Sequence, residues 1–114
     1  MAFNFQDKVA VVTGASRGIG EATVRQLDEG GANVVLVSRS RNKLKELASE
    51  LNNESLVVDC DLSVDLSIDL IRMRTMEKFE KIDILVNNAA VERNEPAHRV
   101  TAAAIDETLL VNLR

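Results

Sequence analysis

Four short aliphatic runs recur along the chain, at Val9 to Val12, Val34 to Val37, Leu56 to Val58 and Ile84 to Val86. None of them alternates with polar residues, which is the pattern of parallel strands covered on both faces. Between the runs the apolar spacing becomes helical. Residues 19–29 set Ile19, Ala22, Thr23 and Leu27 on one face and stop at Gly30-Gly31, a C-terminal signal. Ser40 stands where it can cap a second helix with Leu44, Leu47, Ala48 and Leu51 as its stripe. A third helix is expected to begin between Ser63 and Ser67, with Ile68, Ile71, Met73 or Arg74, Met76 and Phe79 facing inward. Val91 to Val100 is polar, contains the one proline, Pro96, and predicts a loop. Thr101 can cap a fourth helix through Ala104, Ile105, Leu109 and Asn112. Strands alternating with helices of these lengths predict an α/β fold, a right-handed, doubly wound parallel sheet.

The first strand-to-helix junction is the most informative stretch. It reads Thr13-Gly14-Ala15-Ser16-Arg17-Gly18-Ile19-Gly20. Gly14 can take the chain out of the strand through a tight turn, Gly18 lets the backbone approach a phosphate, and Gly20 lets the helix pack on the sheet. The N–H groups opening the helix, with the positive end of its dipole, then face an anion, as in a dinucleotide pyrophosphate site. A bare strand-to-helix turn is the alternative, and the glycine spacing differs from the common Gly-x-Gly-x-x-Gly fingerprint.

The second strand bears on the choice of dinucleotide. An NAD site commonly places Asp or Glu about 20 residues beyond the glycines to hold the ribose 2′-OH. This chain has Ser38-Arg39 there, and Arg17 lies within the glycine loop. Two guanidinium groups and a hydroxyl suit a 2′-phosphate, so NADP(H) is the expected cofactor, with Arg17 and Arg39 on opposite walls of one pocket. Two arginines facing solvent would be the plain alternative.

Composition narrows the rest. A chain of 114 residues with 46% hydrophobic and 28% charged residues suits one globular domain. No segment approaches the roughly 18 apolar residues of a membrane span, and the start, MAFNFQDK, is not a secretory signal, so a cytoplasmic protein is expected. A net charge of −4 argues against nucleic-acid or anionic-membrane partners. Cys60 is the single cysteine, which excludes an internal disulfide and predicts core packing rather than reactivity. His98 is the single histidine, expected on the surface or in a loop, and neither a metal site nor a histidine triad has support.

The motif TGASRGIG, followed in order by Asp61-Leu62, Asn87-Asn88-Ala89-Ala90 and Asn112, resembles the short-chain dehydrogenase/reductase family from Lys8 to Arg114. The run LVNNAAV and the ending VNLR look most like its carbonyl reductase and L-xylulose reductase group. The resemblance implies a Rossmann-like sheet and a cofactor held by Gly14, Ser16, Arg17, Gly18, Ile19, Gly20, Ser38, Arg39, Asp61, Leu62, Asn87 and Ala89. Asp61 would line the adenine pocket, although an Asp before Ser63 can equally act as a cap. Asn87, Asn88 and Ala89 would lie beside the nicotinamide ribose, although the asparagines can equally tie down the sheet. Ala90 stands where the family frequently has glycine.

In that family, hydride transfer to a carbonyl relies on Tyr, Lys and Ser from a segment beyond residue 114, assisted by an Asn on the fourth helix. Asn112 is the counterpart of that Asn, and the chain has no tyrosine. The fourth strand should also receive a fifth on its free edge. The 114 residues therefore read as one incomplete NADP-binding domain, cut after about four strands and four helices and inactive alone. The resemblance implies a reductase of a small carbonyl compound or sugar, such as a dicarbonyl or L-xylulose, and a homo-oligomer, a tetramer in the suggested group. A non-catalytic dinucleotide-binding or scaffold module is the alternative. A nucleotide-sugar epimerase or dehydratase, which uses the other glycine spacing, ranks last.

Overall fold

The computed structural model describes residues 4–88. Its strands are β1 (Val9–Thr13), β2 (Asn33–Ser38), β3 (Ser55–Asp59) and β4 (Ile84–Asn87), and its helices are α1 (Gly18–Glu29), α2 (Arg41–Ala48) and α3 (Leu66–Phe79). All strand pairs are parallel, in the order β3-β2-β1-β4, so every strand ends at the same edge of the sheet. This is the expected doubly wound α/β arrangement. Among the described residues β4 pairs only with β1.

The unbroken apolar runs reflect two buried faces. Ala10, Val12, Val34 and Leu36 meet Val24 and Leu27 of α1 and Leu44 and Leu47 of α2. Val9, Val11, Val35, Val37 and Val58 meet Ile71 of α3 on the other side. Each buried Val or Leu contributes roughly 1.5–3 kcal/mol, so the strand residues drive folding from both faces.

Helix rotation departs from expectation in two places. In α1 the buried positions are Gly20, Val24, Leu27 and Asp28, while Ile19 is 76% exposed, Ala22 is exposed and Thr23 is half-buried. Gly20 sets this rotation, because a Cβ built on it would collide with the Gly14 carbonyl and sit 3.2 Å from Ala15 Cα. In α3 the buried residues are Ser67, Ile71 and Thr75, with Leu70 and Phe79 packed at the margin. Ile68, Met73 and Met76, expected inward, are exposed. Ser67 Oγ donates to the Asp61 carbonyl at 2.6 Å, which fixes Ser67 toward the sheet and turns Ile68 outward. By contrast, Leu44 and Leu47 face inward in α2 as expected, and Leu51 packs beside them from beyond the helix end. Ser40 occupies the cap position of α2 without a side-chain capping bond.

Cys60 is half-buried against the α3-side core. Burial pushes its thiol above the ordinary value, partly offset by a Ser67 hydrogen bond, with Asp59 and Asp61 adding to the rise. The expected fourth helix from Thr101, the loop from Val91 to Val100, and His98 lie outside the described residues.

Candidate cofactor site

The strand ends at the C-terminal edge converge with the glycine loop. Gly14 and Gly18 adopt φ of +64° and +60°, the left-handed region that side chains with a Cβ disfavour. A Cβ built on Gly18 would meet nothing within 4 Å, so the loop leaves an open cradle in front of α1. The residue at the helix cap, Arg17, makes no side-chain capping bond, and the first-turn N–H groups of α1 lack intrahelical acceptors, as at any helix start. Ala15 N–H donates to the Val37 carbonyl at 3.1 Å and draws the loop against the end of β2. These features fit a phosphate: a left-handed loop, an open cradle and an N-terminal helix end aimed at it.

Arg17 and Arg39 are both exposed at this edge. A cleft of about 350 Å³ opens at Arg17 toward α2, lined by Ser16, Lys43, Leu47 and the Arg25–Glu50 ion pair. Arg39 does not line it, so this cleft is not the shared pocket that the sequence suggested, and α2 faces it with both Lys43 and Glu46. Arg25 is engaged by Glu21 at 3.1 Å and Glu50 at 2.6 Å. Lys43 was not legible as a site residue, since only the fold brings α2 beside the loop. Ile19, which α1 turns outward, presents an apolar surface beside the cradle.

Ser38 ends β2, and its Oγ accepts from Ser40 N–H at 3.0 Å. Beside it, Asp59 ends β3 and meets Arg41 at 3.4 Å. Asp61 Oδ1 accepts from Ser63 N–H at 2.9 Å and Ser63 Oγ at 2.8 Å, a local turn ahead of α3, whose cap position is held by Asp65 and not by Asp61. Leu62 packs against the α3-side core. At the end of β4, Asn87 Oδ1 accepts from Thr13 Oγ at 2.9 Å and joins the C-terminal ends of β1 and β4. Asn88 Nδ2 is buried with no partner among the described residues. Ala89, Ala90 and Asn112 lie outside those residues. Within them, no group of three His, Cys, Asp or Glu could hold a metal ion, and no helix is long and apolar enough to cross a membrane.

A parallel sheet with a phosphate-shaped glycine loop at its C-terminal edge defines a nucleotide-binding α/β class. The short chain dehydrogenase family model matches residues 8–114, and the chain belongs to that family. It is 38% identical over 109 residues to an uncharacterized oxidoreductase of Staphylococcus epidermidis, covering 96% of this chain and 47% of that protein. It is 36% identical over 113 residues to an NAD-dependent glycerol dehydrogenase of Listeria innocua, covering 98% of this chain and 44% of the relative. The chain thus spans about half the length of these curated relatives. Among solved structures, L-sorbose reductase from Gluconobacter frateurii, complexed with NADPH and L-sorbose, superposes with a TM-score of 0.73 at 25% identity over 98% of this chain and 50% of that one.

Proposed function

We propose that these residues form the NADP(H)-binding part of a short-chain reductase, as a single domain within a longer catalytic unit. The observation that carries this reading is the open cradle at Gly18 in front of α1, flanked by exposed Arg17 and by Ser38-Arg39 where an NAD site commonly has a carboxylate. Gly14 to Gly20 would hold the pyrophosphate and Arg17 and Arg39 the 2′-phosphate. Asp61 and Leu62 would border the adenine, and Asn87 and Ala89 the nicotinamide side. Ile19 would cover the cofactor with its exposed side chain. When bound there, the nicotinamide supplies or accepts hydride.

The NADPH complex of the sorbose reductase supports this choice of cofactor, and the NAD-dependent glycerol dehydrogenase supports the rival one. Arg17 and Arg39 favour NADPH on this reading, since a guanidinium pairs with a phosphate dianion far better than with a hydroxyl. The substrate on this reading is a small carbonyl compound or sugar, such as a dicarbonyl or L-xylulose, and the working form a cytoplasmic homo-oligomer. Asn112 would hold a water in the proton relay. With no tyrosine among the 114 residues, the chain by itself would not turn over.

Fluorescence titration of NADPH and NADH into the chain tests the reading. Tighter NADPH binding, reduced when Arg17 and Arg39 are both replaced by Ala, supports it. Equal or tighter NADH binding overturns the assignment of the two arginines.

A further inference from the structure

The end of β3 carries a carboxylate that the reading above leaves without a role. Asp59 is the register partner of Ser38 in the parallel β2–β3 ladder, so the two side chains leave the sheet on one face, on strands about 4.8 Å apart. That is where the 2′ end of the cofactor is proposed to lie. A bare carboxylate there would repel a phosphate dianion, as an acid at the end of β2 does in sites for the unphosphorylated ribose. Asp59 is not bare. Arg41 Nη1 lies 3.4 Å from its Oδ1, with Arg41 reaching back from the first residue of α2.

Stability gives little reason for this pair. Both partners are open to solvent, with side-chain exposures of 60% and 35%, and such ion pairs add little to folding. Arg41 also stands in the first turn of α2, which holds no acidic residue, so its charge opposes the helix dipole. A cation placed at an unfavourable helix position, bonded to a carboxylate beside the ribose end, is explained by the charge it removes from that end.

We propose that Arg41 is a specificity-determining residue for the cofactor, acting by masking Asp59 so that the β3 carboxylate does not repel a 2′-phosphate held at Ser38 and Arg39. The inference rests on the NADP(H) reading above. Arg39 makes no ion pair among the described residues and is left for the phosphate, whereas Arg41 is engaged by Asp59 and acts through it. Masking and direct contact predict different double variants. If Arg41 only masks, removing Asp59 as well makes its loss harmless. If Arg41 itself grips the phosphate, the double variant is as weak as the single one.

The test is titration of NADPH and NADH into the 114-residue chain and its Arg41→Ala, Asp59→Asn and Arg41→Ala/Asp59→Asn variants, with circular dichroism confirming that each is folded. Arg41→Ala should weaken NADPH by roughly 5- to 10-fold and leave NADH unchanged or slightly tighter, because Asp59 is then available to the ribose hydroxyl. Asp59→Asn alone should tighten NADPH by roughly 2- to 5-fold, and this variant tests the proposal even if Arg41→Ala fails to fold. The double variant should return to within about twofold of the unaltered chain, and the difference between the single variants should shrink in high salt. A double variant no better than Arg41→Ala, or an Asp59→Asn variant with unchanged NADPH affinity, overturns this inference and leaves the NADP(H) reading intact. A preference of the unaltered chain for NADH, or no binding of either cofactor, overturns both.

Discussion

Asp28 and Asn53 hold each other by both backbone and side chain. Asn53 N–H donates to Asp28 Oδ1 at 2.9 Å, and Asn53 Nδ2 donates to the Asp28 carbonyl at 2.7 Å. Asn52 N–H adds a bond to Asp28 Oδ2 at 2.9 Å, so one buried carboxylate fastens the end of α1 to the turn before β3. Replacing Asp28 by Ala strands these partly buried donors, at about 1–3 kcal/mol for each group left unpaired. Urea denaturation of Asp28→Ala should show a loss of about 2–4 kcal/mol with an unchanged slope, and Asp28→Asn, which keeps one acceptor, a smaller one.

A second carboxylate makes stability depend on pH. Asp83 accepts from Val9 N–H at 2.9 Å, and Lys81 Nζ stands 3.2 Å away. Burial pushes the Asp83 carboxyl up, but the Val9 hydrogen bond and the Lys81 charge together outweigh it and hold it below the ordinary 3.8. A folded value below the unfolded one stabilises the protein above the unfolded value, and this is lost as pH falls through the folded one. Urea midpoints followed from pH 6 downward should fall through the acid range, and Asp83→Asn should flatten that fall.

Two glycines of the loop should fail in different ways. Gly20→Ala forces a methyl into the Gly14 carbonyl and should cost several kcal/mol or prevent folding. Gly18→Ala meets no neighbour but must hold φ at +60°, a cost of roughly 1–2 kcal/mol. Its methyl would also project into the open cradle. Thermal melts and cofactor titration together should show Gly20→Ala limited by stability and Gly18→Ala losing affinity beyond its loss of stability.

The rotation of α3 is open to a paired substitution. Ile71→Lys puts a charge into a site 7% exposed and should unfold the domain, whereas Met73→Lys, at a position 60% exposed, should change stability by less than about 0.5 kcal/mol. Chemical denaturation of both variants decides between this rotation and one that buries Met73.

Cofactor preference should invert on a two-residue change. Ser38→Asp with Arg39→Ala removes a charge-assisted contact worth about 1.5–3 kcal/mol and adds repulsion toward a 2′-phosphate. NADH should then bind more tightly than NADPH, read by titrating both cofactors against both proteins.

The strands and the glycine loop were legible because their signals are local: aliphatic runs with no polar interruption, and glycines whose steric need shows in the spacing. Helix rotation was less legible. Ile68, Met73 and Met76 are as apolar as Ile71, and only the bond from Ser67 to Asp61, set by the path of the chain after β3, shows which side turns inward. At the site, Arg17 and Arg39 could be named from their places beside the loop and β2. Lys43, Arg41 and Asp59 could not, because their relevance depends on α2 lying beside the loop and β3 beside β2. The Asp28 clamp was invisible for the same reason, spanning 25 residues with partners common in any loop.

Because all strands run the same way, the sheet has two ends with separate duties. The bonds of Asp28 and Asp83 gather where the strands begin, while Gly18, Ser38, Arg39 and Asp59 gather where they finish. Changes drawn from opposite ends share no partner, so their effects on folding should add. A lineage carrying this fold can therefore revise which dinucleotide it accepts without renegotiating how it folds, and can drift at the opposite rim while its ligand chemistry stays fixed.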